Sequence, residues 1–179
     1  MAAMSLQDQS VNSLLKYLSS ELSHIKFKAG RRFLWSPENG VVSYIAPELR
    51  TEQGIWTLLH ETGHAQLAHK TYKTDFELLS LEVAAWQQAK LLGKELKITI
   101  NEDHVQDCLD TYRDWLHKRS TCPTCGTVGL QHTPSEYRCH NCLTNWQVTA
   151  SRFCRAYRRK SVPSDDKAGI DTMPELVFH

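Results

Sequence analysis

His60-Glu61-Thr62-Gly63-His64 lies inside a run that is apolar on nearly every side, Ile55-Trp56-Thr57-Leu58-Leu59 before it and Ala65-Gln66-Leu67-Ala68 after it. Such a run describes a buried helix, and a buried helix holds two imidazoles and a carboxylate only if something compensates their polarity. Residues four apart on a helix stand one above the other, so His60 and His64 face the same way and can clamp one Zn²⁺. Glu61 projects about 80° round the helix from that pair. It is near enough to act on water at the metal without becoming a ligand, which makes it the candidate general base. The competing reading is a hydrogen-bonded pair of core histidines with a surface glutamate between them; three fixed positions in five recur by chance, and the apolar flanks favour the metal.

A catalytic zinc needs a third protein ligand. Thr74-Asp75-Phe76-Glu77 is a T-x-x-E capping box, which starts a helix and occupies Glu77 with backbone N–H groups. Gly93 reads as that helix's C-terminal stop. Glu82 lies on its Leu78, Ala85, Trp86, Ala89 stripe and so faces the core, where a cation opposite it removes the cost of a buried charge. His69 stands about 140° from His64 on a continuous helix; it reaches the metal only if the helix breaks after Ala68, and no glycine is there to break it. Glu82 is the preferred ligand and His69 the alternative.

The order His60-Glu61-x-x-His64, then Glu82-Val83-Ala84-Ala85-Trp86, resembles the gluzincin metallopeptidases, and within them the minigluzincins and the ImmA/IrrE-like peptidases. The resemblance covers roughly residues 33–92, and its specific positions are the metal and base residues. It implies an α+β zincin-like domain in which Zn²⁺ on His60, His64 and Glu82, with Glu61 as base, hydrolyses a peptide or protein substrate. The elements before the motif suit that order. Val11, Leu14, Leu15, Leu18 and Leu22 make the apolar stripe of a helix over residues 10–22. Residues 25–28 and 32–35 read as strands, and Ser36-Pro37-Glu38-Asn39-Gly40 as a hairpin turn into a strand over 41–45. The expected sheet is small and antiparallel, with residues 41–45 or their hairpin partner as the edge that pairs with substrate. Thr51 caps the motif helix. Tyr44, Tyr72 and His104 are candidate oxyanion donors.

Asn101 opens a further helix with Val105, Cys108, Leu109, Tyr112, Trp115 and Leu116 on its stripe, and His117-Lys118-Arg119 suit its negative end. Cys108 reads as a small buried hydrophobe, and His104, off the stripe, as a surface histidine. Beyond it, Cys122-x-x-Cys125 and Cys139-x-x-Cys142 form two knuckles whose thiolates complete a closed tetrahedral site, the signature of a small zinc ribbon with a structural Zn²⁺. Arg152, Arg155, Arg158, Arg159 and Lys160, with Phe153 and Tyr157 between them, read as a basic helix on that ribbon. This composition suits nucleic-acid contact or an ordinary solvated face.

The expected domains are therefore 1–119 zincin-like, 120–160 ribbon with basic helix, and 161–179 tail. In that tail Leu176-Val177-Phe178-His179 is a candidate self-inhibitor of the metal site. Charges nearly balance, 21 basic against 20 acidic, so no general polyanion attraction follows. Paired C-x-x-C cysteines suit a reducing compartment, and the N-terminus shows neither a basic n-region nor a long apolar run. With no apolar run near 18 residues a membrane span is not expected, and the expected place is the cytoplasm. Two other functions fit these features: a nucleic-acid- or partner-binding ribbon protein with regulatory or lost peptidase activity, and a SprT-like protease acting on DNA-bound proteins, whose domain order is similar.

Overall fold

The N-terminal stripe winds into α1 (Leu6–Glu21). Leu14 and Leu18 are buried, and Val11, Leu15 and Leu22 pack at the edge of the same core. A computed structural model describes residues 6–149 and 158–161, with side chains from residue 10 onward. The chain divides between Lys118 and Arg119 into two compact units, mixed α and β in composition, with four helices and two small sheets among the described residues. None of these helices is long and apolar enough to cross a membrane.

In the first unit β1 (Lys26–Ala29), β2 (Leu34–Ser36) and β3 (Val41–Tyr44) form one sheet in the order β1-β3-β2. The Ser36–Gly40 turn, closed by Gly40 at φ 62°, makes β2 and β3 the expected hairpin. The sheet is mixed, however, because β1 runs parallel to β3 on the other side. Lys26 N–H donates to Gly40 O at 2.9 Å and Gly30 N–H to Tyr44 O at 2.8 Å, which anchors both ends of that pairing. Alternation tells which side of a strand is buried and not which neighbour it pairs with. The arrangement also resolves the edge: β3 is central, and its hairpin partner β2 is the open strand on that side.

A 3₁₀ turn (Ala46–Arg50) leads into α2 (Glu52–Gln66), whose first turn is capped by Thr51 Oγ1 accepting from Gly54 N–H at 3.0 Å. The helix α3 (Asp75–Leu96) starts as expected, with Thr74 Oγ1 accepting from Glu77 N–H at 3.1 Å; the Glu77 carboxylate accepts from Lys73 N–H at 2.7 Å. Its end differs from expectation. Gly93 is inside the helix, which continues to Leu96 and closes with Lys97 in the left-handed region at φ 58°. Ile98 N–H donates to Gly93 O at 2.7 Å and Lys97 N–H to Lys94 O at 3.3 Å, a Schellman motif. Gly93 instead makes room for the returning chain, since a Cβ there would stand 2.7 Å from Ile98 O. The helix α4 (Glu102–Ser120) is capped by Asn101 Oδ1, which accepts from Asp103 N–H at 2.7 Å. The core of this unit joins Leu14, Leu18, Ile25, Val42, Leu49, Leu58, Leu59, Trp86, Val105 and Leu109.

The second unit is a four-stranded antiparallel sheet, β4 (Leu130–Thr133), β5 (Glu136–Arg138), β6 (Asn145–Val148) and β7 (Arg158–Lys160), in that order. Its small core is Cys122, Tyr137, Cys139, Trp146 and Val148. Arg119, expected to answer the helix dipole, is buried here instead. Its guanidinium lies 5.7 Å over the Tyr137 ring and donates to Pro134 O at 2.8 Å, while its own carbonyl accepts from Trp146 Nε1 at 2.9 Å. Over its described residues the expected basic helix is corrected: Arg158, Arg159 and Lys160 are an exposed edge strand paired with Val148, Gln147 and Trp146. A strand with charged side chains makes a protected sheet edge. Arg152 and Arg155 lie outside the described residues, as does the 162–179 tail.

Candidate metal centres

Gly63 explains how two helices bring His60, His64 and Glu82 together. A Cβ at this position would stand 2.5 Å from Ala85 O, so α2 and α3 approach here as closely as only a glycine permits. Gln88 Nε2 donates to Gln66 Oε1 at 3.0 Å across the same seam. One turn before Ala85 on α3, Glu82 then meets His60 and His64 of α2. His60 Nε2 and His64 Nε2 are 3.2 Å apart, and Glu82 Oε2 is 3.2 Å from the first and 3.6 Å from the second. Three zinc ligands at about 2.0–2.1 Å in a tetrahedral shell stand roughly 3.3 Å from one another. The observed spacings fit that shell, and His60, His64 and Glu82 could hold zinc.

Burial strengthens the fit. His60 and Glu82 are each 6% exposed, and Glu82 Oε2 is within ion-pair reach of both imidazoles while making no hydrogen bond. A buried carboxylate oxygen with no hydrogen-bond partner, aimed at two imidazole nitrogens, is a polar group whose burial a cation would compensate. Burial alone would raise the Glu82 pKa; the two imidazoles beside it outweigh burial and hold the carboxyl well below the usual carboxylate range. Trp86 stacks on His60 with ring centroids 4.3 Å apart, setting the plane of that imidazole.

Glu61 stands outside the cluster, half-buried, and turns toward the sheet. Trp35 N–H of β2 donates to its Oε2 at 2.6 Å. The Trp35 indole reaches further and donates to His69 O at 2.8 Å. His69 is not among the cluster's ligands. The helix does break before it, contrary to expectation, and without glycine: α2 stops at Gln66 and Ala68 takes φ 52°. A left-handed alanine costs about 1–2 kcal/mol, offset here by Ala68 N–H to Ala65 O at 3.1 Å and His69 N–H to His64 O at 3.0 Å. The break turns His69 back so that its Nδ1 lies 2.9 Å from Nδ1 of His64, on the side away from the cluster. Burial first, and His64 next, hold the His69 pKa below the ordinary imidazole range.

The three oxyanion candidates differ in setting. Tyr44 lines a groove with Val11, Leu15 and Pro47. His104, read as a surface residue, is half-buried against Trp56 and Trp86, with Nε2 at 3.7 Å from Cys108 Sγ; Cys108 is itself only partly buried. Tyr72 is exposed. Sequence reasoning overlooked Gly63, Trp35 and the role of Trp86. A glycine inside a helical pattern signals close packing, and that signal was present between Thr62 and His64; nothing local marks Trp35.

In the second unit the two knuckles repeat one another. Gly126 N–H donates to Cys122 O at 3.0 Å and Leu143 N–H to Cys139 O at 3.1 Å. Gly126 and Leu143, each following a second cysteine, both have positive φ, 76° and 59°. Thr124 and Asn141 N–H groups approach the first sulfur of each knuckle at 3.4 Å. Cys122 Sγ is 3.6 Å from Cys142 Sγ and Cys125 Sγ is 3.5 Å from Cys139 Sγ, close to the roughly 3.8 Å of a tetrahedral zinc–thiolate shell. Hydrogen bonds from Thr127 draw Cys125 down to about 5. Cys139, although Cys142 and Asn141 N–H groups favour its thiolate, is pushed up to about 11 by burial and by its sulfur neighbours. Four cysteine sulfurs so crowded suit a shared cation, and this Cys₄ cluster could hold zinc, an arrangement compatible with a zinc ribbon.

No protein-family model matches the chain, and neither a curated protein nor a solved structure matches it at a significant level.

Proposed function

We propose that this chain is a zinc-dependent metallopeptidase of the gluzincin type, a zincin-like unit followed by a zinc ribbon. The observation that carries this reading is the meeting of His60, His64 and Glu82, with all ligand atoms within 4.8 Å, beside a glutamate that belongs to none of the three. Zinc bound there would supply a water made acidic and a polarised amide carbonyl at an open coordination position. Glu61 takes the proton of the attacking water as the C–O bond forms and delivers it to the amide nitrogen as the C–N bond breaks. The β2 edge offers an extended substrate a strand to pair with. The Cys₄ centre, having no open position, is structural.

Glu61→Gln tests this reading. The variant is expected to retain both zinc ions while its hydrolysis of an unstructured protein such as casein falls roughly 10²–10⁴-fold. Unchanged turnover overturns the mechanism. A second reading, protease action tied to nucleic acid, is favoured by the exposed Arg158, Arg159 and Lys160 of β7. It expects DNA to stimulate cleavage of a DNA-binding protein, with the stimulation lost in an R158E/R159E/K160E variant.

A further inference from the structure

We infer that His69 is a positioning residue for the metal site: the C-terminal cap of α2 delivers its Nδ1 to Nδ1 of His64 and so fixes the plane and tautomer of that ligand. The inference rests on the zinc reading of His60, His64 and Glu82. The Nε2 atoms of His60 and His64 converge on Glu82, so the metal-facing lone pair of His64 is on Nε2 and its proton is on Nδ1. That N–H donates to His69 Nδ1 at 2.9 Å, which therefore acts as an acceptor with its own proton on Nε2.

The backbone builds this contact. With Ala68 as the left-handed residue, His64 and His69 occupy the two positions joined by the longer bond of a Schellman motif, and His69 N–H donates to His64 O at 3.0 Å. Side chains at those two positions commonly make an apolar contact; here the contact is imidazole to imidazole, ring centroids 5.0 Å apart. A third bond, Trp35 Nε1 to His69 O at 2.8 Å, ties the cap to the strand that also holds Glu61. His60 has no equivalent support: its Nδ1 is buried without a hydrogen-bond partner and the ring is held by Trp86. The two histidine ligands are thus oriented differently, one by stacking and one by a hydrogen bond to a cap residue.

The test is zinc affinity at this site, measured on the full chain by competition with a chromophoric chelator, with the Co²⁺ ligand-field spectrum as a second readout. Removing such an outer partner typically weakens binding 10–100-fold, so His69→Ala is expected to show that loss and an altered Co²⁺ spectrum. His69→Asn, whose Oδ1 can accept where Nδ1 did, is expected to recover most of the affinity. Ala68→Gly, a residue suited to the left-handed cap, should leave it unchanged. His60→Ala, which removes a ligand, is expected to abolish binding at this site while the Cys₄ zinc remains. If His60→Ala abolishes binding and His69→Ala does not weaken it, the positioning role is refuted while the metal reading stands. Equal losses in His69→Asn and His69→Ala reduce His69 to packing and also refute it. Undiminished zinc in His60→Ala removes the metal reading and the inference with it.

Discussion

Gly63→Ala should damage the metal centre without touching a ligand, and its size can be worked from the seam between α2 and α3. The new Cβ would stand 2.5 Å from Ala85 O and 3.2 Å from Ala85 C, whereas ordinary contact begins at 3.4 Å. Both obstacles are backbone, so no rotamer relieves them and the helices must part by about 0.9 Å at that point. Glu82 lies one turn away on the moving helix. An equal displacement takes its distance to His60 from 3.2 Å to about 4.1 Å, well past the roughly 3.3 Å of a zinc shell whose ligand distances tolerate about ±0.2 Å. Stability should change less than affinity. Overpacking costs about 1–3 kcal/mol, and replacing a helical glycine with alanine returns about 1 kcal/mol. The assay is zinc stoichiometry by elemental analysis after mild chelation, alongside thermal unfolding. A folded variant with the Cys₄ zinc present and the His60/His64/Glu82 zinc lost or at least tenfold weaker is the expected result. A folded variant binding both ions with native affinity would refute the claim that this glycine sets the ligand spacing.

Glu82→Ala should lower zinc occupancy at the first centre more than His69→Ala does, because it removes a ligand and not a ligand's support; metal content of both variants checks the order. Cys139→Ser should unfold the ribbon and reduce the zinc count from two to one, read by elemental analysis. Lys97→Gly should raise stability by about 0.5–1 kcal/mol in urea titration, since Lys97 occupies a left-handed cap at φ 58° that glycine adopts without strain.

The chemistry was more legible in the sequence than the scaffold. His60, His64 and Glu82 could be placed because helical spacing fixes which side chains share a face, and because a carboxylate on an apolar stripe demands a partner. The cysteine knuckles were legible because C-x-x-C encodes a local turn. Three features were not. The direction of β1 depends on a partner chosen across the sheet, which alternation does not record. The end of α2 was misjudged because a left-handed alanine is stable only through bonds made by Trp35, His64 and Ala65 together. Arg158 to Lys160 read as helix because basic and aromatic spacing carries little information about a three-residue edge strand held by pairing with β6.

The two margins of the small β1-β3-β2 sheet differ in kind. Along β1 the exposed Lys26 and Lys28 form a charged fringe, a device that discourages another strand from annealing there. Along β2 the sequence Leu34-Trp35-Ser36 carries no charge, and Glu61 holds the amide of its middle residue. In the proposed reading, an extended chain would be turned away on one flank and on the other would meet an edge whose middle amide Glu61 already holds. That uncharged flank is only three residues long, which leaves stray neighbours little to grip.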